Sequence, residues 1–157
     1  MENRDLQEII KKVIDSVSFS SINLENARYI IRRVEEKAAS MGVKAVVAVA
    51  NSGANTIAVE CMDESYIASY DIAVNKAYTS VSLKMDTKTL KGLAQPEQEL
   101  YGIQFTNGGK IVIFGGGVAL KNNEGKVVGG VGVSGGSEEE DTILGDFAKK
   151  VFMEEIL

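Results

Sequence analysis

The sequence predicts an α+β domain, a sandwich of helices around a mainly antiparallel sheet of about five strands. Three observations lead there. Apolar residues recur at helical spacing in segments on both sides of the chain's middle. Short apolar pieces in the second half are separated by NGG, GGG and NNEG, which suit hairpins and are too short for crossover helices. No repeat, linker or low-complexity tract interrupts the 157 residues, of which 45% are hydrophobic, so one core of reasonable size is expected. The domain is taken as residues 1–157, with 1–22 as an N-terminal helix and loop extension.

Each element has its own signal. Leu6, Ile9, Ile10, Val13, Ile14 and Val17 mark an amphipathic first helix. Asn23 is placed to cap a second, whose stripe is Ala27, Ile30, Ile31, Val34, Ala38 and Met41 and which Gly42 ends. KAVVAVA (44–50), the turn NSGAN and the run from Thr56 to Cys61 read as a hairpin. Asp63 or Ser65 opens a long third helix with Ile67, Tyr70, Val74, Ala77, Tyr78 and Val81 inward, and Asp86 caps a short one ending at Leu93. Pro96 lies in a loop. Ile103–Thr106, Lys110–Phe114, Val118–Lys121 and Lys126–Val133 then read as a meander of strands. Ser137 and Glu140 form a capping box, before a last helix with Ile143, Leu144, Phe147, Ala148, Val151 and Phe152 inward.

Composition removes several kinds of function. A net charge of −5 argues against nucleic acid as partner, since phosphate binding calls for a basic face. No apolar run approaches a membrane span, and the start MENRDLQEIIKK lacks a secretory h-region, so a cytoplasmic protein is expected. The single cysteine, Cys61, gives no internal disulfide and no cysteine zinc cluster. The chain has no histidine at all. Ser-His and Cys-His pairs, histidine-bound zinc and histidine-bound haem therefore have no ligand or base within it. Acid–base work would fall to Asp, Glu, Lys or Tyr.

Most of the sixteen glycines lie between Gly102 and Gly136. Gly130, Gly132 and Gly135 fit GxGxxG, between a strand and a helix. Too little chain follows for a second parallel strand, and Glu138, Glu139, Glu140 and Asp141 would repel a pyrophosphate from the helix start. Gly132-Val133-Ser134-Gly135-Gly136 has nucleophile-elbow spacing, but no histidine is available as base, and Ser134 reads as a turn or cap hydroxyl. Gly108-Gly109-Lys110 is followed by isoleucine and is no Walker A loop. The glycines therefore read first as sheet corners, and their gathered amides are a second candidate reading, as the lining for an anion or a flat ligand.

Together, LYGIQFTNGGKIVIFGGGVAL, VVGGVGVSGGSEEED, the stretch Asp71 to Thr79 and Leu93-Ala94-Gln95-Pro96 resemble the GlcG/HbpS family, which includes the C-terminal domain of PduO. The resemblance runs from about residue 24 to the C-terminus. It implies a profilin-like fold, a homo-oligomer (tetramer or octamer), and membership of a group in which several proteins bind haem and some accompany glycolate or diol metabolism. Haem enters only through this resemblance; the cofactor is otherwise unknown. Two departures stand out: Phe105, where relatives often carry histidine, and Ala119, where many carry proline.

The expected function is a non-enzymatic protein that binds a small molecule or assists a metabolic enzyme, without nucleic acid or membrane. Its candidate ligand-binding residues are Lys76, Tyr78, Gln104, Thr106, Asn107, Gly115, Gly116, Gly117 and Ser134. The alternative is a small enzyme acting on an organic acid or aldehyde with Lys76, Tyr78, Asp71 and Ser134. No catalytic residue and no metal ligand is assigned; Cys61, Tyr78 or a methionine as an iron ligand is the weaker reading of those residues.

Overall fold

Helix α1 (Leu24–Ser40) starts where Asn23 places its side-chain oxygen 2.9 Å from the Asn26 amide. Gly42 follows the helix at φ +72, a left-handed position that glycine takes without steric cost. The computed structural model describes residues 4–10 and 19–157. Residues 4–10 are helical and expose Leu6, Ile9 and Ile10; Val13, Ile14 and Val17 of the expected stripe lie outside the described residues.

Among the described residues the sheet has four strands: β1 (Val46–Asn51), β2 (Thr56–Cys61), β3 (Gly117–Lys121) and β4 (Val127–Ser134). Their order is β2-β1-β4-β3 and every pairing is antiparallel. It is a pair of hairpins joined through β1 and β4 rather than a hairpin followed by a meander. Two expected strands are absent. Ile103–Phe105 and Asn107–Gly109 are 3₁₀ turns, and 110–114 is irregular. Gly102, Asn107, Gly108 and Gly109 all adopt positive φ, which breaks an extended run. The Val112 amide bonds the Thr79 hydroxyl at 3.0 Å instead of a neighbouring strand.

Helix α2 (Ile67–Ser82) and the short α3 (Thr87–Leu93) precede the loop; α4 (Glu138–Val151) follows β4 and runs into a π-helical turn, Phe152–Ile156. The capping box of Ser137 and Glu140 is present as expected. α2 begins at Ile67, later than expected, and Tyr66 makes no side-chain cap bond. Asp86 stands at the N-cap of α3 but spends its carboxylate elsewhere, on the Ala119 amide at 2.9 Å and on Lys149.

The two sheet faces are packed differently. One carries Val47, Val49, Val118, Leu120, Val131 and Val133 against α1 and α4, with Ile30, Ile31, Val34, Leu144 and Phe152 fully buried. Each such Leu, Ile or Phe contributes roughly 1.5–3 kcal/mol through burial. The other face carries Val46, Ala48 and Ala50 against Ala73, Ala77 and Val81 of α2. Here β4 offers glycine: a Cβ on Gly132 would lie 1.9 Å from the Ala73 carbonyl oxygen, and one on Gly130 2.9 Å from that of Ala77. Gly130 and Gly132 thus form a track along which α2 lies directly on the sheet, while Gly135 instead abuts the Lys44 carbonyl. Of the expected stripe, Ala77 and Val81 face inward and Val74 packs beside them, but Ile67 and Tyr70 do not. Small and polar residues (Ser69, Ala73, Lys76, Ala77, Ser80) face inward, while Ile67 is 98% and Tyr70 54% exposed. In α4, Ile143 likewise faces outward.

Candidate functional site

The chemically distinctive group is an ion pair inside the molecule. Lys76, on the buried side of α2, has a fully buried side chain. Its ammonium donates to Asp141 Oδ2 at 2.9 Å and to the Val133 carbonyl at 2.7 Å, and sits 5.0 Å from the centre of the Phe114 ring. Asp141, in the first turn of α4, also accepts from the Gly136 amide at 2.9 Å. Burial pushes the Lys76 amine below its ordinary pKa against the pull of Asp141, and pushes the Asp141 carboxyl up against the pull of Lys76. Both shifts have the same cause: the charged forms have lost water. Asp141 was not singled out as a partner from the sequence, where it reads only as one of four acids at a helix start.

The triple glycine closes over this pair. A Cβ on Gly116, at φ +113, would lie 2.6 Å from Lys76 Nζ; on Gly115 it would lie 2.2 Å from Thr142 Oγ1; on Gly117, 2.6 Å from Thr87 Cγ2. The Gly115 amide bonds Glu138 at 3.0 Å and the Gly117 amide bonds Thr87 at 2.8 Å. All three residues are buried. Ser134 is 5% exposed and its hydroxyl meets that of Ser69 at 3.1 Å. Five of the nine candidate positions (Lys76, Gly115, Gly116, Gly117 and Ser134) thus form an interior cluster satisfied by the protein itself.

The other four lie outside it, where α2 meets the 3₁₀ turns. The Tyr78 hydroxyl donates to Asn107 Oδ1 at 3.1 Å, Asn107 Nδ2 to the Thr106 hydroxyl at 3.0 Å, and that hydroxyl to the Ile103 carbonyl at 2.6 Å. Lys110, missed in the sequence, puts its ammonium 5.3 Å from the Tyr78 ring centre. Gln104 keeps Oε1 buried with no hydrogen-bond partner. Phe105 and Tyr101 project beside them, 83% and 65% exposed. This rim exposes aromatic rings at Phe105 and Tyr101 and polar groups at Thr106, Asn107 and Lys110. Asp71 is exposed on α2.

A family model described as "Haem degrading protein HbpS-like" matches residues 22–148. The chain belongs to the HbpS-like family. A 15.0 kDa protein of the dhaT-dhaS intergenic region of Citrobacter freundii is 42% identical over 88% of this chain and 97% of its own length. The corrinoid adenosyltransferases PduO of Citrobacter freundii and Salmonella typhimurium are 29% and 33% identical, and the chain spans only 46% and 36% of their lengths. Among solved structures, Klebsiella pneumoniae ORFY superposes with a TM-score of 0.83 at 41% identity, covering 86% of this chain and 92% of that one. A PduOC:heme complex superposes at 0.79 with 32% identity, covering 83% and 94%.

The α+β sandwich and its antiparallel sheet are those of HbpS-like proteins. Haem is therefore associated with the family, although this member holds no histidine for it. Among the described residues no group of three or more His, Cys, Asp or Glu is arranged to hold a metal ion. Cys61 is exposed on the edge strand β2, and the Tyr78 hydroxyl is engaged by Asn107. No described helix is long and apolar enough to cross a membrane.

Proposed function

We propose that this HbpS-like protein is a non-enzymatic, cytoplasmic small-ligand-binding or accessory protein that acts as a homo-oligomer in diol or glycolate metabolism. The observation that carries it is the division of the candidate residues. The groups with acid–base capacity, Lys76 and Asp141, neutralise each other in the interior, while the groups left at the surface are suited to holding a molecule. On this reading the ligand lies against Tyr78, Thr106, Asn107 and Gln104, with Phe105 and Tyr101 supplying ring faces, while Lys76, Gly115, Gly116, Gly117 and Ser134, buried in the interior cluster, do not reach it. A porphyrin has the flat shape the rim suits. Bound haem would supply redox chemistry at its iron, and histidine ligation from this chain is excluded by the sequence. The metabolic setting comes from relatives such as the PduO proteins and the dhaT-dhaS intergenic protein; the adenosyltransferase activity is not carried over.

The alternative, a small enzyme using lysine, tyrosine and carboxylate, requires substrate to reach Lys76, which is 0% exposed. Native mass spectrometry before and after haem addition separates the readings. The expected result is a stoichiometric small-molecule or haem adduct on an oligomer, weakened in F105A and N107A. Turnover of a diol, glycolate or an aldehyde by the pure protein would overturn the binding reading.

A further inference from the structure

The opposite end of the sheet carries a different feature. Where β3 turns into β4, beside the C-terminus of α2, there is a cleft of about 400 Å³. Lys84, Lys121 and Lys126 line it together with Ser20 and Ser52. The chain has 22 acidic residues against 17 basic ones, yet the described lining contains no carboxylate. Among the described residues none of these three lysines forms an ion pair, unlike Lys76, Lys91 and Lys149. A lysine at Lys84 can be explained by the negative end of α2. Lys121 and Lys126 have no such explanation.

The backbone beneath the cleft is fixed. Buried Asn122 accepts from the Glu124 and Lys126 amides, both at 3.0 Å, and donates to the Phe19 carbonyl at 3.0 Å. A register shift between Leu120 and Lys121 turns the strand just where Lys121 begins. Lys84 holds φ +56, a conformation costly for a side-chain-bearing residue. Asn51 pins the β1–β2 turn by accepting from Gly53 and Asn55, which sets Ser52 at the rim. A second cavity of about 590 Å³ shares Lys84 and Lys121; Met85, Met153 and Leu157 give it apolar wall, and its carboxylate, Asp86, is paired with Lys149.

We propose that this cleft binds a small multivalent oxyanion, phosphate-like in charge and size, either free or as the phosphoryl end of an organic molecule whose apolar part lies along Met85, Met153 and Leu157. Three lysines lining one cleft whose described lining holds no carboxylate favour such an anion over chloride. The site is separate from the rim at Tyr78 and does not depend on that rim's ligand.

Amide NMR titrations at fixed ionic strength, with pyrophosphate and with hexyl phosphate, test it. Saturable shifts confined to Ser52, Lys84, Lys121 and Lys126 and their neighbours are expected. Binding should weaken at least tenfold in the double variant K121Q/K126Q and stay unchanged in K150Q, a control on the exposed side of α4. Tighter binding of hexyl phosphate would assign an organic phosphate; equal or tighter binding of pyrophosphate would assign the free anion. Non-saturating shifts for both probes, or a double variant that binds as wild type does, would overturn the proposal. The three lysines are exposed, so unchanged thermal melting is expected and confirms that the variant is folded.

Discussion

Removing one member of the Lys76–Asp141 pair is predicted to cost far more than a surface contact. D141N would leave a fully buried ammonium without its counter-charge, at a cost of about 3–5 kcal/mol by chemical denaturation. The double variant K76M/D141N should cost less than its two single variants added together, because neither then strands a buried charge. Additive costs would show that the pair is not coupled. Glu138 has the opposite electrostatic character, since hydrogen bonds from Lys91 and from the Gly115 amide lower its pKa. The folded state then binds fewer protons than the unfolded state just below the ordinary glutamate range. Its stabilisation is complete above that range and is lost as pH falls through the lowered value. E138Q should therefore melt below wild type at neutral pH, and the difference should shrink towards acid. A constant difference down to pH 3 would refute the assignment.

Among the elements, α2 depends on the absence of side chains opposite it. G132A would drive a methyl group to 1.9 Å from the Ala73 carbonyl oxygen, so α2 must lift from β4. The predicted cost is about 3 kcal/mol or more, since such overpacking meets backbone rather than a movable side chain. G42A, where a Cβ meets nothing within 4 Å, should lose only the smaller cost of its positive φ. Similar losses for the two variants would contradict the tight track. This element also shows what was legible in the sequence. α1 was readable to its cap because its buried stripe is aliphatic and its neighbours are ordinary valines. α2 was legible only towards its C-terminal half, where Ala77 and Val81 face inward as expected; near its start, glycine on the facing strand selects small and polar residues for the inner side, and hydropathy there points to Ile67 and Tyr70, which face outward. The runs at 103–106 and 110–114 looked like strands because they are apolar, but positive φ at four surrounding positions forbids that. The candidate site was legible in part. Lys76, Tyr78 and Asn107 stand out by residue type, but their partnerships span 29 residues (Tyr78–Asn107) and 65 residues (Lys76–Asp141), and nothing local in the sequence links either pair.

For the whole molecule, the consequence of α2's orientation is an apolar surface. Tyr66, Ile67 and Tyr70 stand 73%, 98% and 54% exposed near the start of that helix. Exposed aromatic and aliphatic groups commonly mark an interface, so the homo-oligomer proposed above is expected to use this surface. I67D is predicted to shift native mass spectra and light scattering from the oligomer to the monomer, with little change in the fold's circular dichroism. An oligomer of unchanged size would place the contact elsewhere. The buried ammonium also provides a chemical clock. An amine-acylating reagent reacts with a free, accessible amine, and Lys76 offers neither property while α2 lies on β4. Lysines at the surface would be modified at once, whereas acylation of Lys76 would proceed only as fast as α2 leaves the sheet. Its rate of labelling, followed by peptide mass spectrometry, would report how often this layer of the molecule opens.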